Sequence, residues 1–256
     1  MKLLKSTLLL AMFITLSHCK DQKQNPEGLT DLKTTNIEDS VKVIPITHGT
    51  LILETGSETI YIDPTGGMEA FKDQKAPTLV LITDIHGDHL SKKTLETLNL
   101  NNVTLIGPRA VTEKLPSYIT ETIVTINNGD IYKHNAVKIE AIPMYNLRED
   151  ALKFHVKGRG NGYILTINEE RIYISGDTED IPEMRNLKNI DKAFVCMNMP
   201  WTMSIEQAAD AVLEFKPKIV YPYHYRGSEK MSNVSKFKNL VENDDKSIEI
   251  RLLDWY

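Results

Sequence analysis

The chain carries only two cysteines, Cys19 and Cys196. That count cannot build a disulfide framework, and Cys196 lies in the apolar stretch Ala193-Phe194-Val195-Cys196-Met197, where it reads as core. Basic clusters are lacking too. No run of five or more lysines and arginines occurs, and the formal net charge is −5. A surface of that sign does not displace counterions from phosphates, which argues against a nucleic-acid partner. The apolar run at residues 8–16 is too short to span the roughly 30 Å of hydrocarbon in a bilayer. What is present is ordinary for a globular protein. The chain has 256 residues, 41% of them hydrophobic and 25% charged, enough for a large core in one domain or two fused halves.

Lys2 and Lys5 precede the short apolar run, which has the form of a secretory leader. Leu16-Ser17-His18-Cys19 resembles a bacterial lipobox, whose cysteine becomes the lipid-bearing first residue of the mature chain; His18 stands where a small residue is usual. Residues 20–40 hold only Leu29, Leu32 and Ile37 as larger aliphatics and read as a flexible tether. The expected organisation is therefore a signal peptide over 1–18, a lipidated linker over 19–40 and a folded domain over 41–256. The expected location is the bacterial envelope, with the protein lipid-anchored on the periplasmic or surface side of a membrane.

Residues 41–44, 50–54 and 59–63 read as strands. Alternation follows: a buried strand at 79–83, a helix capped by Ser91 and running to Leu98, a strand at 103–106, and a helix from Pro108 to Leu115. This predicts a layered α/β domain. Residues 122–142 return to a β-pattern, with His134 as a turn residue. An internal echo comes next: the hairpin ending Ile60-Tyr61-Ile62-Asp63 is matched by one ending Ile172-Tyr173-Ile174-Ser175-Gly176-Asp177, which suggests two similar halves. A strand at 193–196, a helix at 204–215, a strand at 218–221, a helix at 233–241 and a strand at 248–252 complete the pattern.

Four metal-capable side chains, Asp84, His86, Asp88 and His89, fall just after the apolar run 79–82. In an extended segment, residues 84, 86 and 88 would converge on one point and 89 on another. Imidazole and carboxylate in that arrangement suit two metal ions better than one. The stretch resembles the HxHxDH signature of the metallo-β-lactamase superfamily, with Asp84 where the first histidine is usual. Further similarity extends over residues 42–256 and is strongest to the ascorbate-6-phosphate lactonase-like branch.

The resemblance implies a four-layer αββα sandwich with two divalent ions, zinc first and manganese or iron as alternatives. It implies that Asp177 bridges both ions and that His224 joins Asp88 and His89. The family's further histidine is missing from Met144-Tyr145-Asn146, where Asn146 offers only a weak neutral oxygen, so His155 on the following loop is the expected replacement. Asp84 with His155 would then make the first position more anionic than the usual three-histidine set. His48 is expected near the centre, and Tyr145, Tyr223, Tyr225, Trp201 and Arg226 are candidate pocket residues. The implied activity is hydrolysis of an ester, lactone or phosphodiester bond in a small-molecule substrate by a metal-bound hydroxide, with Asp88 and Asp177 in the catalytic machinery. No serine or cysteine nucleophile is needed. The alternative is a degenerate relative that binds metal or ligand without turnover.

Overall fold

The computed structural model describes residues 41–256. The expected leader, tether and lipidated Cys19 lie outside the described residues.

One sheet takes its strands in sequence order: β1 (Lys42–Thr47), β2 (Thr50–Glu54), β3 (Thr59–Ile62), β4 (Leu79–Leu81), β5 (Thr104–Gly107) and β6 (Thr122–Thr125). The first three pair antiparallel, and the pairings from β3 to β6 are parallel. Crossovers between the parallel strands carry α1 (Lys92–Thr97) and α2 (Arg109–Thr112). The other sheet has the same grammar. Strands β7 (Ile131–His134), β8 (Val137–Met144), β9 (Gly160–Ile167) and β10 (Glu170–Ile174) are antiparallel. β10, β11 (Lys192–Cys196), β12 (Ile219–Tyr223) and β13 (Glu249–Ile250) are parallel. Helices α3 (Pro182–Arg185), α4 (Ile205–Phe215) and α5 (Val234–Asp244) belong to this half. The two echoing hairpins, β2–β3 and β9–β10, occupy the same place in each sheet, where antiparallel pairing gives way to parallel.

Strand alternation explains the layering. Leu51, Leu53, Ile60, Ile62, Leu79 and Leu81 share one buried cluster with residues of the second sheet. Their neighbours Ile52, Tyr61, Val80 and Ile82 turn to the opposite face and pack with Leu95, Leu100 and Val111. Successive side chains point to opposite faces, so strands buried on both sides read as continuous apolar runs. Ala208, Ala211, Val212 and Phe215 of α4 close the second sheet's outer face in the larger cluster. Each fully buried leucine or isoleucine contributes about 1.5–3 kcal/mol. The result is the αββα sandwich of the metallo-β-lactamase fold.

The local signals act as their chemistry requires. The Ser91 side chain accepts from Thr94 N, and Ser204 with Gln207 forms a reciprocal capping box. The helix after Pro108 ends at Thr112 instead of Leu115, because Lys114 N and Leu115 N bond three residues back and Pro116 disfavours helical backbone before it. The last strand is only Glu249–Ile250, shorter than the apolar pattern suggests. His134 ends β7 beside a turn at Asn135 and lies far in the chain from the centre described below, with Glu58 3.8 Å from its Nε2. Cys196 is fully buried; burial, then the charge of Asp177, pushes its thiol up to about 12. No helix among the described residues is long and apolar enough to cross a membrane.

Candidate metal centre

Every candidate ligand follows the end of a strand or sits on a loop between strands. Beyond β4, Ile82 and Thr83 lead into the segment Asp84-Ile85-His86-Gly87-Asp88-His89. That segment is turned, not extended: His89 N and Leu90 N both donate to His86 O, at 3.0 and 2.7 Å. The expected grouping of residue 88 with 84 and 86 therefore does not hold. The turn carries Asp88 over to His224 and His48, while Asp84 and His86 face His155. Beyond β10, Gly176 has φ 58° and its amide donates to Tyr223 Oη at 3.0 Å. A Cβ there would lie 2.5 Å from Met144 Sδ, so only glycine makes the turn that delivers Asp177. Beyond β12, His224 itself has φ 47°, a left-handed conformation of the kind that persists where function demands it.

Asp177 is the meeting point. Its Oδ2 lies 3.3 Å from His155 Nε2 and 3.5 Å from His89 Nε2, and its Oδ1 lies 3.3 Å from His224 Nε2. His224 Nε2 is also 3.2 Å from His89 Nε2 and 3.4 Å from Asp88 Oδ2. Asp177 Oδ1 is nevertheless buried with no aligned hydrogen-bond partner among the described residues. Lone pairs turned on one another around an orphaned carboxylate oxygen are what a cation-binding site presents. The donor set of imidazole and carboxylate suits zinc, manganese or iron, so these residues fit divalent ions. His89, Asp177 and His224 form one group close enough to share an ion; Asp84, His86 and His155 form another.

The candidate ligand rings of His89, His86 and His155 are oriented from behind, whereas His224 Nδ1 is buried without a hydrogen-bond partner among the described residues. Asp63 Oδ2 accepts from His89 Nδ1 at 2.7 Å, and Thr83 holds both Asp63 oxygens, N to Oδ1 at 2.7 Å and Oγ1 to Oδ2 at 2.6 Å. His89 Nε2 is thereby turned on Asp177. Asp84 Oδ2 stands 2.6 Å from His86 Nδ1. Asn146 donates through Nδ2 to Ala151 O and Trp201 O, which leaves its Oδ1 to accept from His155 Nδ1 at 3.2 Å. Carboxylates and amides in this position fix the tautomer and direction of a metal-binding histidine. Asn146 thus orients His155, the candidate ligand.

Arg159 changes the charge balance expected from sequence. Its Nε and Nη2 donate to the two oxygens of Asp84 at 3.2 and 3.1 Å. The guanidinium offsets the carboxylate, so the first position is not made more anionic by Asp84. Burial would raise the Asp84 carboxyl, but the His86 hydrogen bond and the charges of His89, His86 and Arg159 lower it to about 2. Burial is likewise outweighed at Asp177 by His224 and His89, and at Asp88 by bonds from His224 and His48; both carboxyls lie below the usual range. Burial pulls His89 down, yet Asp177 and Asp63 carry it well above the ordinary histidine value. His48 goes the other way, with burial stronger than its bond to Asp88.

A cavity of about 330 Å³ opens over the centre, lined by His86, Asp88, Phe154, His155, Asp177, Asn198 and Trp201. Trp201 is where the sequence reading expects it. Tyr145, Tyr223, Tyr225 and Arg226 are not part of the lining. Tyr145 Oη donates to Glu183 Oε2 under the Lys157 ammonium, and Tyr223 is buried in the core beneath Gly176. Tyr225 packs edge-on against Tyr256, and the exposed Arg226 guanidinium lies over that same ring, 4.6 Å from its centroid. Sequence reasoning missed Asp63, Arg159, Phe154 and Asn198. For Asp63 a signal existed, since the echo places it after Ile-Tyr-Ile much as Asp177 follows its own.

A family profile described as the β-lactamase superfamily domain matches residues 42–224, from the first strand to His224. The chain belongs to the β-lactamase superfamily. Curated relatives in this superfamily include the UPF0173 metal-dependent hydrolase of Pyrococcus horikoshii, 31% identical over 216 residues, with 78% of this chain and 92% of the relative covered. The Staphylococcus carnosus member is 28% identical over 217 residues, covering 78% and 94%. A crystal structure from Parabacteroides distasonis, of a protein assigned as a metal-dependent hydrolase, superposes with a TM-score of 0.74 at 37% identity, covering 83% of this chain and 92% of that one. Igni18, a metallo hydrolase from Ignicoccus hospitalis, shares the fold at a TM-score of 0.71 and 23% identity, covering 84% and 95%. The protein is a metal-dependent hydrolase of this superfamily.

Proposed function

We propose that this hydrolase cleaves an uncharged carboxylic ester or lactone, using two divalent ions, zinc in the first instance. His86, His155 and Asp177 would hold one, and Asp88, His89, His224 and Asp177 the other. The observation that carries this is the convergence of three imidazole Nε2 atoms on the buried Asp177 carboxylate. Ions held there supply Lewis acidity and make water acidic enough to attack near neutral pH. Asp84, clasped by Arg159, acts through His86 by fixing its Nδ1. The rest is done by the cavity wall. Thr202 Oγ1 accepts from Asn198 N at 3.0 Å and so turns its hydrogen to Asn198 Oδ1. The Asn198 amide nitrogen is left to donate to a substrate carbonyl oxygen.

The substrate class follows from the lining. Phe154 and Trp201 give flat apolar walls, and no lysine or arginine is among the lining residues. Beyond the ions themselves the wall adds no cation to grip a phosphate, whereas a carbonyl ester with a planar or apolar group fits against Phe154 and Trp201. Metal-loaded protein should hydrolyse neutral esters or lactones faster than phosphodiesters and phosphomonoesters, with His86→Ala as the blank. Trp201→Ala should raise KM about tenfold with kcat little changed, a loss of about 1.4 kcal/mol of binding. Preference for a phosphodiester would defeat the substrate assignment. Metal uptake without any hydrolysis would favour the non-catalytic alternative.

We further propose that the chain is exported and lipidated at Cys19, as Lys2, Lys5 and the sequence from Leu16 to Cys19 suggest. One acyl chain binds a bilayer only marginally, while two or more anchor stably. Cys19→Ala should move the protein from the membrane to the soluble fraction. Wild-type protein already soluble, with an unmodified N-terminal mass, would refute the anchor.

A further inference from the structure

We propose that Tyr256 is a positioning residue of the metal centre, acting through His48 to fix Asp88; the inference rests on the metal-binding reading above. Tyr256 Oη accepts from Arg226 N at 3.2 Å. The Asp88 carboxylate at the far ring nitrogen can only accept, so the arrangement that satisfies every contact has the Tyr256 hydroxyl hydrogen on His48 Nδ1, 2.7 Å away. Nδ1 is then an acceptor, and the ring hydrogen belongs on Nε2. There it faces Asp88 Oδ2 at 3.2 Å and donates to it. Hydroxyl and carboxylate thus hold one tautomer of His48 between them, and the ring so held orients the carboxylate. It follows that His48, though near enough to Asp88 and His224 to share an ion with them, does not ligate through its protonated Nε2.

Asp88 is the candidate ligand that most needs such help. Its side chain is 45% exposed, against 5% for Asp177 and none for His89 and His224, so packing alone does not hold it. The supports of the relay are themselves fixed. His48 has φ 53°; its N donates to Trp255 O at 3.3 Å and its O accepts from His224 N at 3.1 Å. The Tyr256 ring is held edge-on by Tyr225, with centroids 4.9 Å apart, and carries the Arg226 guanidinium on its face. The relay therefore ties the segments around residues 48, 88, 224 and 256 into one unit. Orienting partners behind a metal ligand typically govern affinity by about 10–100-fold.

Tyr256→Phe keeps the ring and its packing and removes only the hydroxyl. Two readouts test it. In metal-free protein, ring-nitrogen NMR should show His48 with hydrogen on Nε2 in the wild type, and that single-tautomer signature should be lost in the variant. In zinc titrations against a competing chelator, one of two equivalents should weaken about 10–100-fold and the other stay unchanged. In a His48→Ala background, Tyr256→Phe should add nothing to the loss. Hydrogen on Nδ1 in the wild type, unchanged zinc affinity in Tyr256→Phe, or an additive loss in the double variant would each overturn the proposal. If the wild type takes up no zinc at all, the metal reading fails, and the NMR result still decides whether Tyr256 sets the His48 tautomer.

Discussion

Asp177→Ala is expected to empty both metal positions and to lower hydrolysis by about a thousandfold or more, equivalent to about 4 kcal/mol of transition-state stabilisation. The reason is geometric. Oδ2 faces His155 and His89, Oδ1 faces His224, and Oδ1 is buried without an aligned partner among the described residues. Without the carboxylate, the imidazoles on either side lose the one negative charge they share. Asp177→Asn separates charge from shape: it keeps the volume and should bind metal almost as poorly. Far-ultraviolet circular dichroism should be unaltered in both, because the apolar core lies between the sheets and behind the helices. Full metal content in Asp177→Ala by elemental analysis would remove the bridging role.

His155→Ala should lose one metal equivalent and most activity while the other equivalent stays. His155 is 2% exposed, its Nε2 faces Asp177, and Asn146 fixes its Nδ1. Asn146→Ala should be milder, weakening the same equivalent about 10–100-fold, because the ring remains but its direction is no longer set. Equal losses of both equivalents in His155→Ala would show that the two positions are not separable. Retention of both would place His155 outside the ligand set.

The layering and the clustering of the main candidate ligands were legible because both depend on local rules. Apolar alternation at Leu51-Ile52-Leu53 and Leu79-Val80-Leu81 writes the sandwich directly, and metal-capable side chains after strand ends write the site. The placement of His155 beside Asp177 was legible by a different route, as a histidine on the loop after a position where one was missing. Asp63 and Arg159 act across long sequence separations, 26 residues to His89 and 75 to Asp84. No periodicity records such contacts. Arg159 matters most for the reading of charge. The sequence alone makes Asp84 an extra anion at the metals; the structure makes it half of an ion pair that orients His86. Asp84→His would strand Arg159 beside the ligands, so it is no route to tighter zinc binding. The convergence expected of residue 88 with 84 and 86 failed because two amides close a turn onto His86 O, which period-two reasoning does not foresee.

The most direct test of the account is a zinc titration of chelator-stripped protein, with hydrolysis of a neutral ester followed at each step. Two equivalents should bind, and hydrolysis should appear with them and be absent from Asp177→Ala. Saturation at no equivalents, or full activity in the stripped protein, would contradict it.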